Sequence, residues 1–167
     1  MSSSGFLEGL AIKGLWESAA AFLRKTAGRE IKITSPRPQE LLRSPEQRGS
    51  GFFVFPVSGT LKHLPKDHEI WLLVEDQRSG RVWPQGFFPV VFDPDQKTWN
   101  GKINPNIIGK TQPIKIVAVV APPTSQDFFD YFQKLGDKTH HYEPLDGVPL
   151  ECRKNSAFVQ AQVPPEP

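Results

Sequence analysis

The chain has 167 residues, enough for one domain with its own core and a short tail. Its 20 Lys+Arg nearly balance 18 Asp+Glu, for a formal charge of +2, which argues against the basic excess of a nucleic-acid or polyanion binder. Its 17 prolines, about one residue in ten and roughly twice ordinary usage, argue against a helical bundle and against a regular α/β sheet with long crossover helices.

The first element is a helix over residues 5–28. Ser4 suits the N-cap, Ala19, Ala20 and Ala21 have high helix propensity, and Gly28 is a natural stop. Ile12, Leu15, Trp16, Ala19, Phe22 and Leu23 share one face, and Lys13, Glu17 and Arg24 lie on another. Such a helix is about 35 Å long at 1.5 Å per residue, and its apolar stripe needs a cover.

Residues 30–163 then read as a body of short strands. Ile31 and Ile33 alternate with polar neighbours until Ser35-Pro36 breaks the chain, and residues 36–51 read as a loop. Phe52–Thr60 is a strand with Phe53, Phe55 and Val57 on one face, and its Pro56 suggests an edge or a bulge. His68–Asp76 is the clearest strand, with Ile70, Leu72 and Val74 opposite Trp71 and Leu73. Asp76–Gly80 reads as a hairpin turn into Arg81–Trp83, Phe87–Phe92 as a further strand, and Asp93–Lys97 as a turn into Thr98–Ile103. Pro113–Ala121 is apolar on both faces and therefore central. A short helix over 124–135, capped by Thr124 or Ser125 and closed by Gly136, carries Phe128, Phe129, Tyr131, Phe132 and Leu135. Ser156–Val163 is the last strand, and 164–167 is a tail. Short strands at roughly ten-residue spacing predict an all-β, two-sheet sandwich, with a small closed barrel as the other solution.

The residues Ile33-Thr-Ser-Pro36, Val57-Ser-Gly-Thr60, Ile70-Trp-Leu-Leu-Val74, Trp83-Pro-Gln85, Trp99 and Ile116-Val-Ala-Val-Val120 resemble the bacterial immunoglobulin-like β-sandwich modules over about residues 30–163. The resemblance implies an immunoglobulin-like sandwich that binds or presents other domains, and it carries over no catalytic residue. The helices at 5–28 and 124–135 depart from the simplest form of such modules.

Few residue groups suggest chemistry. Trp71, Trp83 and Trp99 fall on successive strands, a pattern that suits sandwich core first and a platform for sugar rings or another planar ligand second, with Gln85 and Asp76 as polar partners. His140 and His141 would point to opposite faces of an extended segment, which is poor chelation, and Asp93 and Asp95 read as turn residues before cation ligands. The lone cysteine, Cys152, forms no intrachain disulfide and lacks the surroundings of a catalytic nucleophile. No phosphate-binding glycine loop or metalloprotease motif occurs, so neither cofactor nor metal is expected. The single cysteine, the absence of a signal-peptide pattern, and Glu8, Lys13 and Glu17 interrupting the first apolar stretch lead to an expected cytoplasmic location.

The sequence therefore predicts a non-enzymatic interaction module. Its helix 5–28 would either pack on the body of its own chain or mediate self-assembly or docking to a protein partner, through Leu15, Trp16, Ala19, Phe22 and Leu23. Two other readings stand beside it: a glycan or small-ligand module using Trp83, Gln85 and Trp99, and attachment of the N-terminal helix to a membrane surface, for which Lys13, Arg24, Lys25 and Arg29 would form a basic rim.

Overall fold

The computed structural model describes residues 30–42, 46–47, 53–87, 89–105, 113–153 and 156–162. The expected helix 5–28, with Leu15, Trp16, Ala19, Phe22 and Leu23, and the tail 164–167 lie outside the described residues.

Two sheets face each other. One runs in the order β1 (Ile31–Ser35), β4 (Phe53–Leu61), β8 (Thr98–Ile103), β7 (Val91–Asp93), and the two-residue β3 (Glu46–Gln47) pairs with the start of β4. The other runs in the order β2 (Glu40–Leu41), β10 (Ser156–Gln162), β9 (Pro113–Ala121), β5 (Glu69–Asp76), β6 (Val82–Pro84). Every pairing is antiparallel except that of β2 with β10. Helix α1 (Pro123–Thr139) and the one-turn α2 (Leu150–Arg153) lie between β9 and β10. This is a two-sheet β-sandwich with a helix before its last strand.

Period-two alternation builds the layer between the sheets. Ile70, Leu72 and Val74 of β5 and Ile114, Ile116, Ala118 and Val120 of β9 meet Ile31, Phe55, Val57, Leu61, Trp99 and Ile103 from the opposite sheet. Trp99 is fully buried, its indole N–H donating to Thr60 O at 3.3 Å, and its ring lies over Gly59, where a Cβ would overlap both the ring and Lys32 O. The opposite faces of β5 and β9 are apolar too: Trp71, Leu73, Val117 and Val119 lie on the outside of their sheet, where α1 covers them with Phe129. Phe129 is fully buried, its ring centroid 5.1 Å from that of Trp71. β9 is therefore central, as its two apolar faces predict, because one face belongs to the inter-sheet layer and the other to a second core under the helix.

The prolines fall where the ladders can spare a donor. The chain leaves β1 through a cis Ser35–Pro36 bond and enters β2 in the other sheet. Pro56 sits inside β4 but beyond the reach of β1, which pairs only with Ser58–Leu61. β4 is thus an inner strand with an interrupted neighbour, and not the edge strand that Pro56 suggests.

Four local expectations change. The 36–51 segment, expected as loop, contains β2 and β3, each only two residues long and below the reach of periodicity. The strand expected from Phe87 begins only at Val91, after Pro89, which has no N–H to give a ladder. The helix runs past Gly136 to Thr139 and ends at His140, whose φ is 57°. Gly136 is not a stop; the Tyr142 ring occupies the space its Cβ would fill. The helix is capped by Pro122 without a side-chain bond, and Ser125 instead donates its hydroxyl to Glu151 Oε1 at 2.8 Å.

Candidate interaction surfaces

Helix α1 has two stripes. Ser125, Phe129, Gln133 and Gly136, spaced four, four and three apart, are buried against the sheet and the following segment. Phe128, Tyr131 and Leu135, spaced three and four apart, face away and are 42%, 62% and 37% exposed. Phe132 lies between them and stacks edge-on with both Phe128, at 4.9 Å, and Tyr131, at 5.9 Å. Leu150 of α2 is 72% exposed. The sequence signal for this surface is five large apolar side chains within residues 128–135, more than one stripe of a helix can bury.

The segment after α1 holds the helix in place. Trp83 of β6, half-buried, donates its indole N–H to Tyr142 O at 3.1 Å. The Tyr142 hydroxyl donates to Asp137 Oδ1 at 2.7 Å. Burial, and then the Asp137 carboxylate, push the Tyr142 phenol up to about 12. Further along, Leu145 exchanges main-chain hydrogen bonds with Val82 at 2.8 and 2.9 Å. Cys152 is fully buried beneath this segment, and burial raises its thiol pKa despite the hydrogen bond it shares with Ser125.

The three residues of the expected glycan platform do not meet on a surface. Trp99 lies in the inter-sheet core, 0% exposed, and Gln85 is 3% exposed. Gln85 Oε1 accepts the Asn104 main-chain N–H at 2.7 Å, and its amide nitrogen donates to Trp83 O at 3.3 Å, so it ties β6 to the end of β8. Trp83 belongs to the other sheet from Trp99 and is engaged by Tyr142. Alternation along β8 and β6 is compatible with either orientation; burial decides for core in Trp99. The Asp93 carboxylate accepts the main-chain N–H groups of Asp95 and Gln96 at 2.9 and 3.0 Å, the turn use that the sequence favours. His141 pairs with Glu143 at 3.0 Å on the surface, and no group of three or more His, Cys, Asp or Glu side chains gathers among the described residues.

A second surface is a cleft of about 600 Å³ on the open side of the sandwich, between the first half of β5 and β7. One wall is apolar, formed by Leu64, Ile70, Val90 and Phe92; the other carries Glu69, Trp71 and Asp130 of α1. It exists because β6 is short: it pairs only with Leu73–Glu75, leaving Glu69–Ile70 without a strand on that edge among the described residues.

Compared with protein-family models and with curated proteins, the chain matches none. No helix among the described residues is long and apolar enough to cross a membrane.

Proposed function

We propose that the chain is a non-enzymatic interaction module built on an immunoglobulin-like sandwich, and that it assembles with a second copy of itself through the outer face of α1. The strand order supports the immunoglobulin-like reading. With β1, β4, β8 and β7 taken as strands A, B, E and D, and β10, β9, β5 and β6 as G, F, C and C′, both sheets have the order of that fold. The departure is α1, inserted between F and G.

The observation that carries the interaction reading is the exposed stripe of Phe128, Tyr131 and Leu135 on a helix already anchored by its opposite face. Contiguous exposed aromatic surface on a folded domain marks a contact site. Its expected occupant is the stripe of Leu15, Trp16, Ala19, Phe22 and Leu23 on the other copy, which the sequence likewise leaves in need of cover. The buried, protonated Cys152 supports a structural role for the lone thiol.

The test is molecular mass by light scattering. The wild-type chain is expected as an assembly larger than one 18.8 kDa chain. Trp16→Asp with Leu23→Asp, and separately Phe128→Asp with Tyr131→Asp, are each expected to reduce it to a single folded chain. A wild-type mass of one chain, or assemblies unaffected by either pair, would reject the reading.

A further inference from the structure

The cleft beside β5 offers main-chain groups as well as an apolar wall. Leu72 O accepts the Gln85 N–H at 2.9 Å, so the main-chain groups of Leu72 point toward β6. Alternate residues of a strand repeat that direction, so the N–H and C=O of Ile70 point to the same edge, beyond the end of β6. An open strand edge is a template for another strand. The opposite lip of the cleft is not: β7 is bracketed by Pro89 and Pro94, which cannot donate. The cleft therefore has one receptive edge and one blunted one.

We infer that this cleft binds an extended peptide segment of a partner, which adds as a strand beside Ile70 in line with β6. The walls define the chemistry of that segment. Side chains of an added strand alternate between the two sides. Those turned toward the space between the sheets meet Leu64, Val90 and Phe92, which call for an aliphatic residue. Those turned outward meet Glu69, whose Oε2 accepts the Trp71 indole N–H at 3.2 Å while Oε1 is left for a ligand, and Asp130, two carboxylates that call for Lys or Arg. The Asp130 carboxylate has Lys134 at 3.9 Å, an exposed pair too weak to withhold it from a ligand cation. The occupant is thus a basic, β-forming segment with apolar residues at every second position. This site uses Asp130 of α1 but none of Phe128, Tyr131 and Leu135, and it does not depend on assembly through them.

The probe is an end-capped octapeptide of alternating Val and Lys, added to the full chain and followed by titration calorimetry and amide hydrogen exchange. The expected result is saturable binding with Kd below about 1 mM. Exchange of the Ile70 amide should slow at least about tenfold, as it does when an open N–H gains a strand partner. The same peptide with all its amides N-methylated should bind about tenfold or more weakly, since its donors are gone. Asp130→Lys, a change at an exposed helix position, should weaken the Val/Lys peptide several-fold and leave the fold intact. No saturable binding up to millimolar peptide, equal binding of the N-methylated peptide, protection only at the α1 stripe, or an Ile70 amide already protected in the free chain would each overturn the inference.

Discussion

Phe128 and Phe129 are neighbours in one helix with opposite surroundings, and replacing each by Ala separates anchoring from docking. Phe129 is 0% exposed and stacked on Trp71. Truncating a fully buried Phe removes its transfer free energy and leaves a cavity, together about 3–5 kcal/mol. In a chain of this size each kcal/mol lowers Tm by about 2–4 °C, so Phe129→Ala is expected to lose roughly 6–20 °C. Phe128 is 42% exposed and borders a groove open to solvent, so Phe128→Ala is expected to cost about 1 kcal/mol. Urea unfolding at low protein concentration, followed by Trp emission, measures both. Trp71 lies beneath α1, so Phe129→Ala should also shift folded-state emission to the red, and Phe128→Ala should not. Equal costs for the two variants, or a Phe129→Ala protein as stable as wild type, would refute the assignment of one stripe to the core and the other to solvent.

Other outcomes follow from single contacts. Gly59→Ala drives a methyl into Lys32 O and the Trp99 ring and is expected to destabilise by about 3 kcal/mol or more, read as a lower urea midpoint. Gln85→Ala removes the acceptor of the Asn104 N–H and should cost about 1–3 kcal/mol, whereas a glycan panel should leave the emission of the buried Trp99 unchanged. Tyr142 has a folded pKa raised to about 12 from an ordinary 10, so its neutral form is favoured by folding. The associated stability is fully present below pH 10 and is lost as pH climbs from about 10 toward about 12. Tyr142→Phe should flatten that part of the alkaline unfolding profile.

The sandwich was legible because its strands carry local signals. β5 and β9 alternate so regularly that both faces of each can be assigned from the chain, and the Asp93 turn declares itself through its side chain. Pieces fixed by tertiary contact were not legible. β2 and β3 are two residues long and exist because β10 and β4 offer them an edge. Gly136 reads as a stop by propensity, yet the helix continues to Thr139 and the missing Cβ instead leaves room for the Tyr142 ring. For the same reason Trp99 and Trp83 could not be separated beforehand: strand alternation assigns residues to two faces but does not say which face another layer will cover.

In a sandwich of this order, the outside of the β9-containing sheet would face solvent and be polar on alternate residues. Here it carries Trp71, Leu73, Val117 and Val119, and the chain spends a 17-residue helix to cover them. A helix needed only as that cover would carry apolar residues in the stripe of Phe129 and polar ones elsewhere. Instead Phe128, Tyr131 and Leu135 repeat the apolar pattern on the outer side. One stripe explains why the helix stays on the sheet, and the second is the surface on which the proposed assembly rests. The body's prolines blunt β7 beside the cleft, while α1 keeps its prolines at its entry, Pro122 and Pro123. The two proposed contact surfaces, the open edge at Ile70 and the outer face of α1, thus lie on elements whose interiors contain no proline.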